Sequence, residues 1–348
     1  MKAVTFPGDR RVIIQERKIP EPKAGEVLVR MQASGICGSD MHKYRATPEG
    51  VSHGDGFSSR PFSNIVIGHE PAGIVEKIGE GVQNVQAGDR VWVYHIAGCG
   101  LCPECLSGNH IQCKKLWLLG SNVDGSWSDF MLTRAVSCMK LPGELSFIDG
   151  AIMACTGGTV YHTLDRLNAG ANDTLAIYGI GPLGMCGVLF AKVMRARVLA
   201  VDLSEERLDA ARKLGADEVI NAGKQDPVEV IRSLTDEKGA TKTIDFSGNA
   251  SGNAISSLRF GGRAVLVGFG RDYTEGFQLK TRYVITRNLT IMGNLVFPID
   301  TCQRLTNFLL MHNISLENFV THRFPLEKAS EALKLFDTLK TGKIAFVW

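Results

Sequence analysis

The chain has 348 residues, more than one hydrophobic core usually supports, so we expect two domains. With 44% hydrophobic and 22% charged residues it has an ordinary globular composition, and a net charge of +3 is too small to indicate a nucleic-acid-binding surface. The N-terminal stretch lacks the apolar segment of a secretory signal, and nine cysteines without an export signal favour a reducing compartment. We therefore expect a cytoplasmic location.

The stretch up to about residue 150 is predicted to be β-rich. Short β-prone runs recur there with Gly and Pro between them, and few segments carry helical periodicity. The runs are residues 2–5, 12–15, 27–31, 73–78 and 90–93. A small, irregular barrel or sandwich is the interpretation that fits best.

The middle stretch, about 151–290, alternates between strand-like runs and helical patterns. Six strands with helical crossovers predict a doubly wound parallel sheet, which makes the chain an α/β protein. The strands are residues 175–178, 198–201, 218–220, 243–246, 264–267 and 289–292, and the clearest helical patterns are 204–213 and 227–234. Two further helices, 301–312 and 326–339, and a terminal strand, 344–347, follow.

A glycine motif follows the first of these six strands. Gly179, Gly181 and Gly184 form G-x-G-x-x-G between an apolar strand and an uncharged helical stretch that starts at Pro182, a setting typical of dinucleotide binding. The first glycine permits a tight turn, the second lets the backbone approach a pyrophosphate, and the third lets helix and strand pack closely. The candidate cofactor-binding residues here are Gly179, Gly181, Pro182, Leu183 and Gly184.

An acidic residue lies at the end of the second strand of this region. Asp202 stands 18 residues beyond Gly184, about where a carboxylate would bond the ribose 2'-OH of NAD and repel a 2'-phosphate. In the alternative interpretation, Asp202 is an N-terminal helix residue ahead of Ser204.

Four cysteines lie within fifteen residues. Their spacing is C-x2-C-x2-C-x7-C, in a turn-rich segment where four thiolates can close a tetrahedral shell, which is typical of a structural zinc site. An iron-sulfur cluster is a competing hypothesis, but the fourth-ligand spacing of a bacterial ferredoxin is absent. A nucleic-acid-binding zinc module is a third, although only one basic pair lies nearby. The four residues are Cys99, Cys102, Cys105 and Cys113.

A second set of metal-binding side chains is dispersed along the chain. Cys37, His69 and Cys155 are the residue types of an open catalytic zinc site, which leaves one position for water or substrate. Their spacing alone does not single them out, because a buried cysteine is usually a small hydrophobic residue.

The order and spacing of these motifs resemble a known family, the zinc-dependent medium-chain alcohol dehydrogenases. The resemblance covers essentially the whole chain. It implies a GroES-like catalytic domain, residues 1–150 completed by 291–348, that encloses a Rossmann NAD-binding domain, residues 151–290, with the active-site cleft between them. Besides the glycine motif and the four cysteines, the matching residues are Cys37, Ser39, Asp40, His42, Gly68, His69, Glu70 and Asp202.

The resemblance assigns roles around a catalytic zinc. Cys37, His69 and Cys155 are similar to the zinc ligands. Asp40 resembles the carboxylate that orients the His69 imidazole, and Glu70 the acidic neighbour that approaches the metal during ligand exchange. Many polyol and threonine dehydrogenases place a Glu at the third ligand position.

Three further positions receive roles, and some alternatives stay open. Ser39 is similar to the hydroxyl residue that bonds the alcohol oxygen, His42 to the histidine that ends a proton relay, and Arg207 to a basic residue against the adenosine ribose. Ser39 as a helix N-cap and His42 as a solvated side chain are the alternatives. Cys138 competes with Cys155 as a ligand; Cys186 and Cys302 are expected to be core thiols.

The implied function is transfer of a hydride between a secondary alcohol or polyol and NAD, with two zinc ions per chain. A threonine or amino-alcohol dehydrogenase is the alternative in the same family. His95 lies where the family tends to place a pocket-wall side chain, and the segment 44–62 is expected near the cleft mouth, although either can be purely structural. We expect a homo-oligomer, tetramer or dimer, with no nucleic-acid or membrane partner.

Two other classes of function predict different sequences. A zinc-free reductase of the same superfamily would lack Cys37, His69 and the four-cysteine segment, all of which are present. A non-enzymatic zinc- or nucleotide-binding protein would lack catalytic positions or carry a basic face.

Overall fold

The computed structural model describes residues 1–47, 62–270 and 277–348. The strands are β1 (Lys2–Gly8), β2 (Arg11–Glu16), β3 (Glu26–Gly35), β4 (Pro71–Ile78), β5 (Arg90–Val93), β6 (Ile96–Ala97), β7 (Trp117–Leu118), β8 (Phe130–Arg134), β9 (Cys138–Lys140), β10 (Thr174–Tyr178), β11 (Arg197–Asp202), β12 (Glu218–Asn221), β13 (Ala240–Asp245), β14 (Leu258–Leu266), β15 (Thr290–Gly293), β16 (Val320–Phe324) and β17 (Lys343–Val347). The α-helices are α1 (Gly38–Arg45), α2 (Pro103–Leu106), α3 (Phe147–Ile152), α4 (Gly158–Leu167), α5 (Pro182–Val193), α6 (Glu205–Lys213), α7 (Pro227–Ser233), α8 (Ser251–Ser256), α9 (Thr281–Thr286), α10 (Thr301–Met311) and α11 (Ala329–Asp337).

The chain divides into two compact units. Unit 1 consists of Met1–Gly158, Pro298–Leu339 and Lys343–Trp348, and unit 2 of Thr159–Phe297 and Lys340–Gly342. Both boundaries fall a few residues later in the chain than the predicted 150 and 290. Each unit has buried hydrophobic clusters of its own.

Within the described chain, unit 1 is built on a seven-stranded sheet with the order β16-β17-β3-β4-β5-β9, in which β8 also pairs with β3. The terminal strand β17 pairs antiparallel with β3, so that Ala345 lies opposite Gly35. One core of this unit packs Trp127 edge-on against Phe346, with ring centroids 5.1 Å apart. The C-terminal end of the chain therefore completes a sheet that the N-terminal part begins.

The predicted β-rich character of this part is confirmed, but the sequence did not indicate all of its elements. Strands β6, β7, β8, β9 and β16 and helices α1, α2 and α3 are additional. The helix predicted at 326–339 begins as a 3-10 turn, Leu326–Lys328, and continues as α11 to Asp337.

Among its described residues, unit 2 forms a six-stranded sheet with the order β12-β11-β10-β13-β14-β15, and all neighbours are parallel. All six predicted strands are present, and the parallel sheet confirms the predicted doubly wound fold. The strand order reverses between β10 and β13, and parallel sheets of this kind bind ligands at the carboxyl ends of the strands at such a point. The glycine motif follows β10 directly.

Two helices of unit 2, α6 and α7, begin at a side chain that accepts a hydrogen bond from a free backbone N–H group. Ser204 accepts a hydrogen bond from Arg207 N at 3.3 Å at the start of α6, and Asp226 accepts one from Val228 N at 2.8 Å at the start of α7.

None of the helices in residues 1–47, 62–270 and 277–348 is both long and apolar enough to span a membrane.

Candidate metal centres and dinucleotide loop

Helix α1 begins beside one group of metal-binding side chains. Cys37 occupies the N-cap position, and its backbone N–H donates to Asp40 Oδ2 at 2.9 Å. The other carboxylate oxygen, Oδ1, accepts from His69 Nδ1 at 3.0 Å. Asp40 is fully buried, so one carboxylate fixes both the helix start and the orientation of the imidazole.

This arrangement sets the chemistry of His69. Because a carboxylate only accepts, Nδ1 carries the proton in this bond and Nε2 faces the other donors. Burial lowers the pKa of His69, but the Asp40 carboxylate outweighs it and the pKa rises to about 10. A more basic imidazole is a stronger metal ligand once the metal displaces the Nε2 proton.

The backbone before His69 requires a glycine. Gly68 has φ +94°, and a Cβ there would lie 2.2 Å from Trp127 Cδ1. Ser126 N–H donates to Gly68 O at 3.0 Å and holds the turn from the other side. Any side chain at Gly68 would therefore displace the following histidine.

Cys155 lies in a π-helical turn, Met153–Gly157, between α3 and α4. Such turns are rare and occur frequently at functional sites. The turn brings its thiol to the other donors: the ligand atoms of Cys37, His69, Glu70 and Cys155 all lie within 4.8 Å of one another. We call these four residues the assembled centre.

The two thiols of the assembled centre shift each other's pKa in opposite directions. The Cys155 thiol lowers the pKa of Cys37 by hydrogen bonding to it, and the same bond raises the pKa of Cys155. Two sulfurs and one imidazole nitrogen, with a carboxylate oxygen beside them, are a donor set that suits Zn²⁺. The residues present therefore fit the metal that the sequence predicts.

The competing third ligand, Cys138, is not part of the assembled centre. It lies on β9 in a hydrophobic core cluster with Val91 and Val93, and burial raises its pKa to about 12. Cys186 and Cys302 are also buried thiols, as expected.

The predicted relay residues lie on α1. Ser39 Oγ is 3.4 Å from His69 Nε2, and His42 follows one helical turn later and is half-buried. The alternative interpretation of Ser39 as an N-cap is wrong, because Cys37 holds that position.

His95 lies beside the assembled centre. Its Nδ1–H donates to the carbonyl of Ala154 at 2.7 Å, and its ring is 5.3 Å from that of His69. Burial, and then the charge of His69, lowers the pKa of His95 to about 3. It is therefore a neutral imidazole fixed next to Cys155. The segment 44–62, the other region expected to shape specificity, lies mostly outside the described residues.

The four-cysteine segment, residues 99–113, which we call the cysteine lobe, closes on itself. The sulfurs of Cys99, Cys102, Cys105 and Cys113 lie within 4.8 Å of one another, and Cys99 Sγ is 4.0 Å from Cys105 Sγ. A tetrahedral zinc with Zn–S bonds of about 2.3 Å requires sulfurs about 3.8 Å apart, so the lobe fits this metal.

The backbone of the cysteine lobe supports this geometry. Cys99 N–H donates to Cys113 Sγ at 3.3 Å, and the N–H groups of Leu101 and Cys102 lower the pKa of Cys99 to about 6. A Cβ at Gly98 would lie 2.4 Å from Cys105 Sγ, so this position has room only for glycine. The backbone therefore holds the four sulfurs at the spacing of a closed tetrahedral site.

The glycine loop of unit 2, residues 179–184, shows a separate reason for each glycine. Gly179 has φ +85°, and a Cβ at Gly184 would lie 2.1 Å from Gly179 O. A Cβ at Gly181 would meet only the Arg207 guanidinium, at 3.9 Å, so the backbone there is open to a ligand. Pro182 and Leu183 form the first helical turn of α5, where N–H groups remain unpaired for an anion.

Asp202 is tied to the glycine loop. It ends β11, and its Oδ2 accepts from Ile180 N at 2.6 Å while its Oδ1 accepts from Leu203 N and Ser204 N at 2.8 and 2.9 Å. The interpretation of Asp202 as a helix residue is wrong, because Ser204 caps α6. Its carboxylate therefore fixes the glycine loop at the end of β11.

Arg207 supplies a cation beside this carboxylate. Its NH1 is 3.9 Å from Asp202 Oδ2, and burial lowers the pKa of the guanidinium. Arg207 Nε has no hydrogen-bond partner in the part of the chain that the structure describes, so it retains a donor near the glycine loop.

Two residues in contact with the assembled centre were missed by sequence analysis. Lys343 forms a buried ion pair with Glu70, and Thr156 donates to the other oxygen of the same carboxylate. Thr156 follows the predicted ligand Cys155 directly, so its adjacency to a ligand could have marked it as a candidate site residue. Lys343 lies 273 residues from Glu70 in sequence, and no sequence pattern indicated their pairing.

Comparisons with known proteins place the chain in a family. Residues 23–143 match the alcohol dehydrogenase GroES-like domain, and residues 182–311 match the zinc-binding dehydrogenase domain. The uncharacterized zinc-type alcohol dehydrogenase-like protein YphC of Escherichia coli K12 is 33% identical, over 99% of this chain and 98% of that protein. An alcohol dehydrogenase of Geobacillus stearothermophilus is 33% identical, over 95% and 94% of the two chains.

A solved structure gives the same result. An alcohol dehydrogenase of Escherichia coli CFT073, complexed with NADH, is 29% identical with a TM-score of 0.87, and the match covers 100% of this chain and 99% of that one. A GroES-like unit with metal-donor groups and a unit with a dinucleotide-type sheet define a metal-dependent oxidoreductase. The chain belongs to the zinc-dependent medium-chain alcohol dehydrogenase family.

Proposed function

We propose that the protein is an NAD-dependent alcohol dehydrogenase that interconverts a secondary alcohol or polyol and the corresponding ketone. The observation that carries the proposal is the assembled centre, in which Cys37, His69 and Cys155 converge from separate parts of the chain. Three protein donors leave one coordination position for a substrate oxygen, which is the arrangement of catalytic rather than structural zinc.

The roles of the residues follow from their contacts. Zinc, when bound, polarises the substrate hydroxyl, and NAD accepts the hydride. Asp40 keeps the His69 imidazole turned with Nε2 towards the other donors, through the 3.0 Å bond at Nδ1. Ser39, whose hydroxyl is 3.4 Å from Nε2, lies at the right place to take up the substrate proton. His42, one turn along α1, is the next group on its way to solvent.

The choice of NAD over NADP is proposed from Asp202. Its carboxylate would repel a 2'-phosphate and bond a free ribose hydroxyl. The relative that was solved with NADH supports this choice. Arg207, with a donor to spare, would contact the same ribose. The cysteine lobe would hold a second, structural zinc. A homo-oligomer and a cytoplasmic location also remain predictions.

The experiment is a substrate screen on the purified protein with its metal counted. We expect about two zinc ions per chain, from the two donor groups of the described structure. With NAD, a panel of secondary alcohols, polyols and amino alcohols should give NADH for at least one member. One zinc per chain, together with no turnover of any panel member, would contradict the proposal. Turnover confined to amino alcohols would select the alternative substrate class.

A further inference from the structure

Lys343 is a buried cation that the proposed reaction does not use. It is the first residue of β17, and its side chain, like that of its partner Glu70, is fully buried. Lys343 Nζ lies 2.5 Å from Glu70 Oε2. Taking two charges out of water is costly, and a buried pair is weak grounds for stability alone. We therefore look for a function of the Lys343–Glu70 pair at the assembled centre, to which Glu70 belongs.

The Glu70 carboxylate is held on three sides. Thr156 Oγ1–H donates to Glu70 Oε1 at 2.8 Å, and Lys343 Nζ donates to Thr156 Oγ1 at 3.0 Å, so the three side chains form a closed triangle. On the third side lies Gly35, where a Cβ would approach Glu70 Oε2 to 1.9 Å. The φ angle of Gly35 is not positive, so the glycine is needed for space rather than for backbone conformation.

From this position Glu70 is close to becoming a ligand. One of its carboxylate oxygens lies within 4.8 Å of the donor atoms of Cys37, His69 and Cys155. Within the described chain, Glu70 Oε2 has the Lys343 ammonium as its neighbour and accepts no other side-chain or backbone hydrogen bond, so it keeps a lone pair that can turn to a metal. Carboxylate oxygens bind zinc at about 2.0–2.2 Å, so a small shift would be enough.

The charges favour the position of Glu70 beside Lys343 over a position on a metal. A divalent zinc ion and two thiolates are neutral together, and so are Glu70 and Lys343. The thiolates therefore balance the charge of the metal, and Lys343 balances the charge of Glu70. Both sets of charges are close together, and charges interact strongly at short distances in a protein interior. If Lys343 is removed, the metal becomes the nearest cation to Glu70.

Resting on the proposed function, we propose that Lys343, together with Thr156, is a positioning residue. It holds the Glu70 carboxylate off the metal and so keeps the fourth coordination position open for the substrate oxygen. Lys343 comes from the C-terminal strand, so the pairing of β17 with β3 becomes a requirement for an open site.

The test uses the cobalt-substituted protein and imidazole as an external ligand. Imidazole enters only an open position, so the change it makes in the cobalt absorption spectrum reports the assembled centre and not the closed cysteine lobe. We expect Lys343→Met to bind imidazole about tenfold more weakly, because Glu70 takes the open position. Lys343→Arg, which keeps the charge, should bind imidazole like the wild type.

Two further variants decide the interpretation. In Lys343→Met/Glu70→Gln the neutral amide no longer competes for the metal, so imidazole binding should return to the wild-type value. Equal imidazole binding by folded, cobalt-loaded Lys343→Met and wild type would overturn the proposal. If Lys343→Met does not fold, Thr156→Val serves instead: we expect about threefold weaker imidazole binding, rescued by Glu70→Gln. Binding equal to the wild type would overturn the proposal there as well.

The proposed function fails in a different way. The proposed function fails if Cys37→Ser keeps both metal ions, because Cys37 is then not a metal ligand and the second ion is bound outside the assembled centre. An intact metal site with imidazole binding indifferent to Lys343 rejects the positioning role and leaves the dehydrogenase intact.

Discussion

The two metal-donor groups of unit 1 are built in opposite ways. The cysteine lobe takes all four donors from fifteen consecutive residues, carried on turns that glycines permit. The assembled centre takes its donors from the start of α1, the turn before β4 and a π-helical turn, which span residues 37 to 155. One is local in sequence, and the other exists only after the sheet of unit 1 has formed.

The difference extends to chemistry. Four thiolates saturate a tetrahedral metal, so the cysteine lobe is suited to stability. The assembled centre has two thiols, one imidazole and a carboxylate that a buried lysine restrains. Its neighbours are also charged and buried, Asp40 among them. A local site can therefore fill all four coordination positions with ligands from one short segment. A site with a vacant coordination position needs long-range contacts to keep that position vacant.

The largest effect is expected from Cys37→Ser, which removes a donor from the assembled centre and none from the cysteine lobe. We expect it to lower kcat on the order of 10⁴-fold, since a metal Lewis acid is worth several kcal/mol of transition-state stabilisation. It should also lose one zinc per chain and leave the circular dichroism spectrum unchanged. Retained turnover would refute the catalytic assignment of the assembled centre.

A matched control is Cys138→Ala, which removes a buried thiol elsewhere in the same unit. Because Cys138 lies in a core cluster outside both donor groups, we expect no loss of zinc and kcat within about twofold of the wild type. Zinc loss in this variant would make Cys138 the third ligand after all.

The second prediction breaks the cysteine lobe. We expect Cys102→Ser to lose the other zinc and to cost unit 1 about 4 kcal/mol of unfolding free energy, as loss of a structural metal does. At a temperature where the variant is folded, kcat should stay within a few-fold of the wild type. Zinc analysis, thermal unfolding and the assay separate the effects. A kcat loss as large as that of Cys37→Ser, in folded protein, would show that the two sites have the same role.

The same contrast explains what the sequence could predict. The cysteine lobe and the glycine loop are local patterns, and the fold class and family they indicated are confirmed. Helix α1 was missed because its buried residues include Asp40 and Lys43, so it has no apolar stripe. The pairing of Lys343 with Glu70 depends on the register of β17 against β3, which no local pattern encodes. The dispersed ligands could be named only through resemblance.

The third prediction concerns unit 2. We expect Asp202→Ala to raise the ratio of NADPH to NADH rates about tenfold, because it removes the repulsion of a 2'-phosphate. The Michaelis constant for NADH should also rise, since the carboxylate accepts the Ile180 N–H and so shapes the glycine loop. Asp202→Asn, which keeps an acceptor oxygen, should shift the ratio with a smaller rise in that constant. An unchanged ratio in both variants would contradict the cofactor assignment.

The smallest expected effect tests how α1, which carries part of the assembled centre, is held. Asp337 at the end of α11 pairs with Arg45 NH2 at 2.6 Å and with Arg10 Nε at 3.1 Å. Burial raises the pKa of Asp337, but hydrogen bonds from the two arginines outweigh it and lower the pKa below its usual value. A depressed carboxylate pKa stabilises the fold above the unfolded value of about 3.9, and this contribution is lost as pH falls through the folded pKa.

Asp337→Asn should therefore be less stable than the wild type near neutral pH. We expect a gap of about 1 kcal/mol, a modest value because the carboxylate is one-fifth exposed to solvent. The gap should start to shrink as pH falls below the unfolded value of about 3.9, and it should close only below the depressed folded pKa, where the wild-type carboxylate is protonated in both states. Urea unfolding of both proteins across this range measures it, and acid loss of metal cancels because it is common to both. A gap that stayed constant down to the lowest pH would show that Asp337 contributes packing rather than charge, and the anchor of α1 would then lie elsewhere.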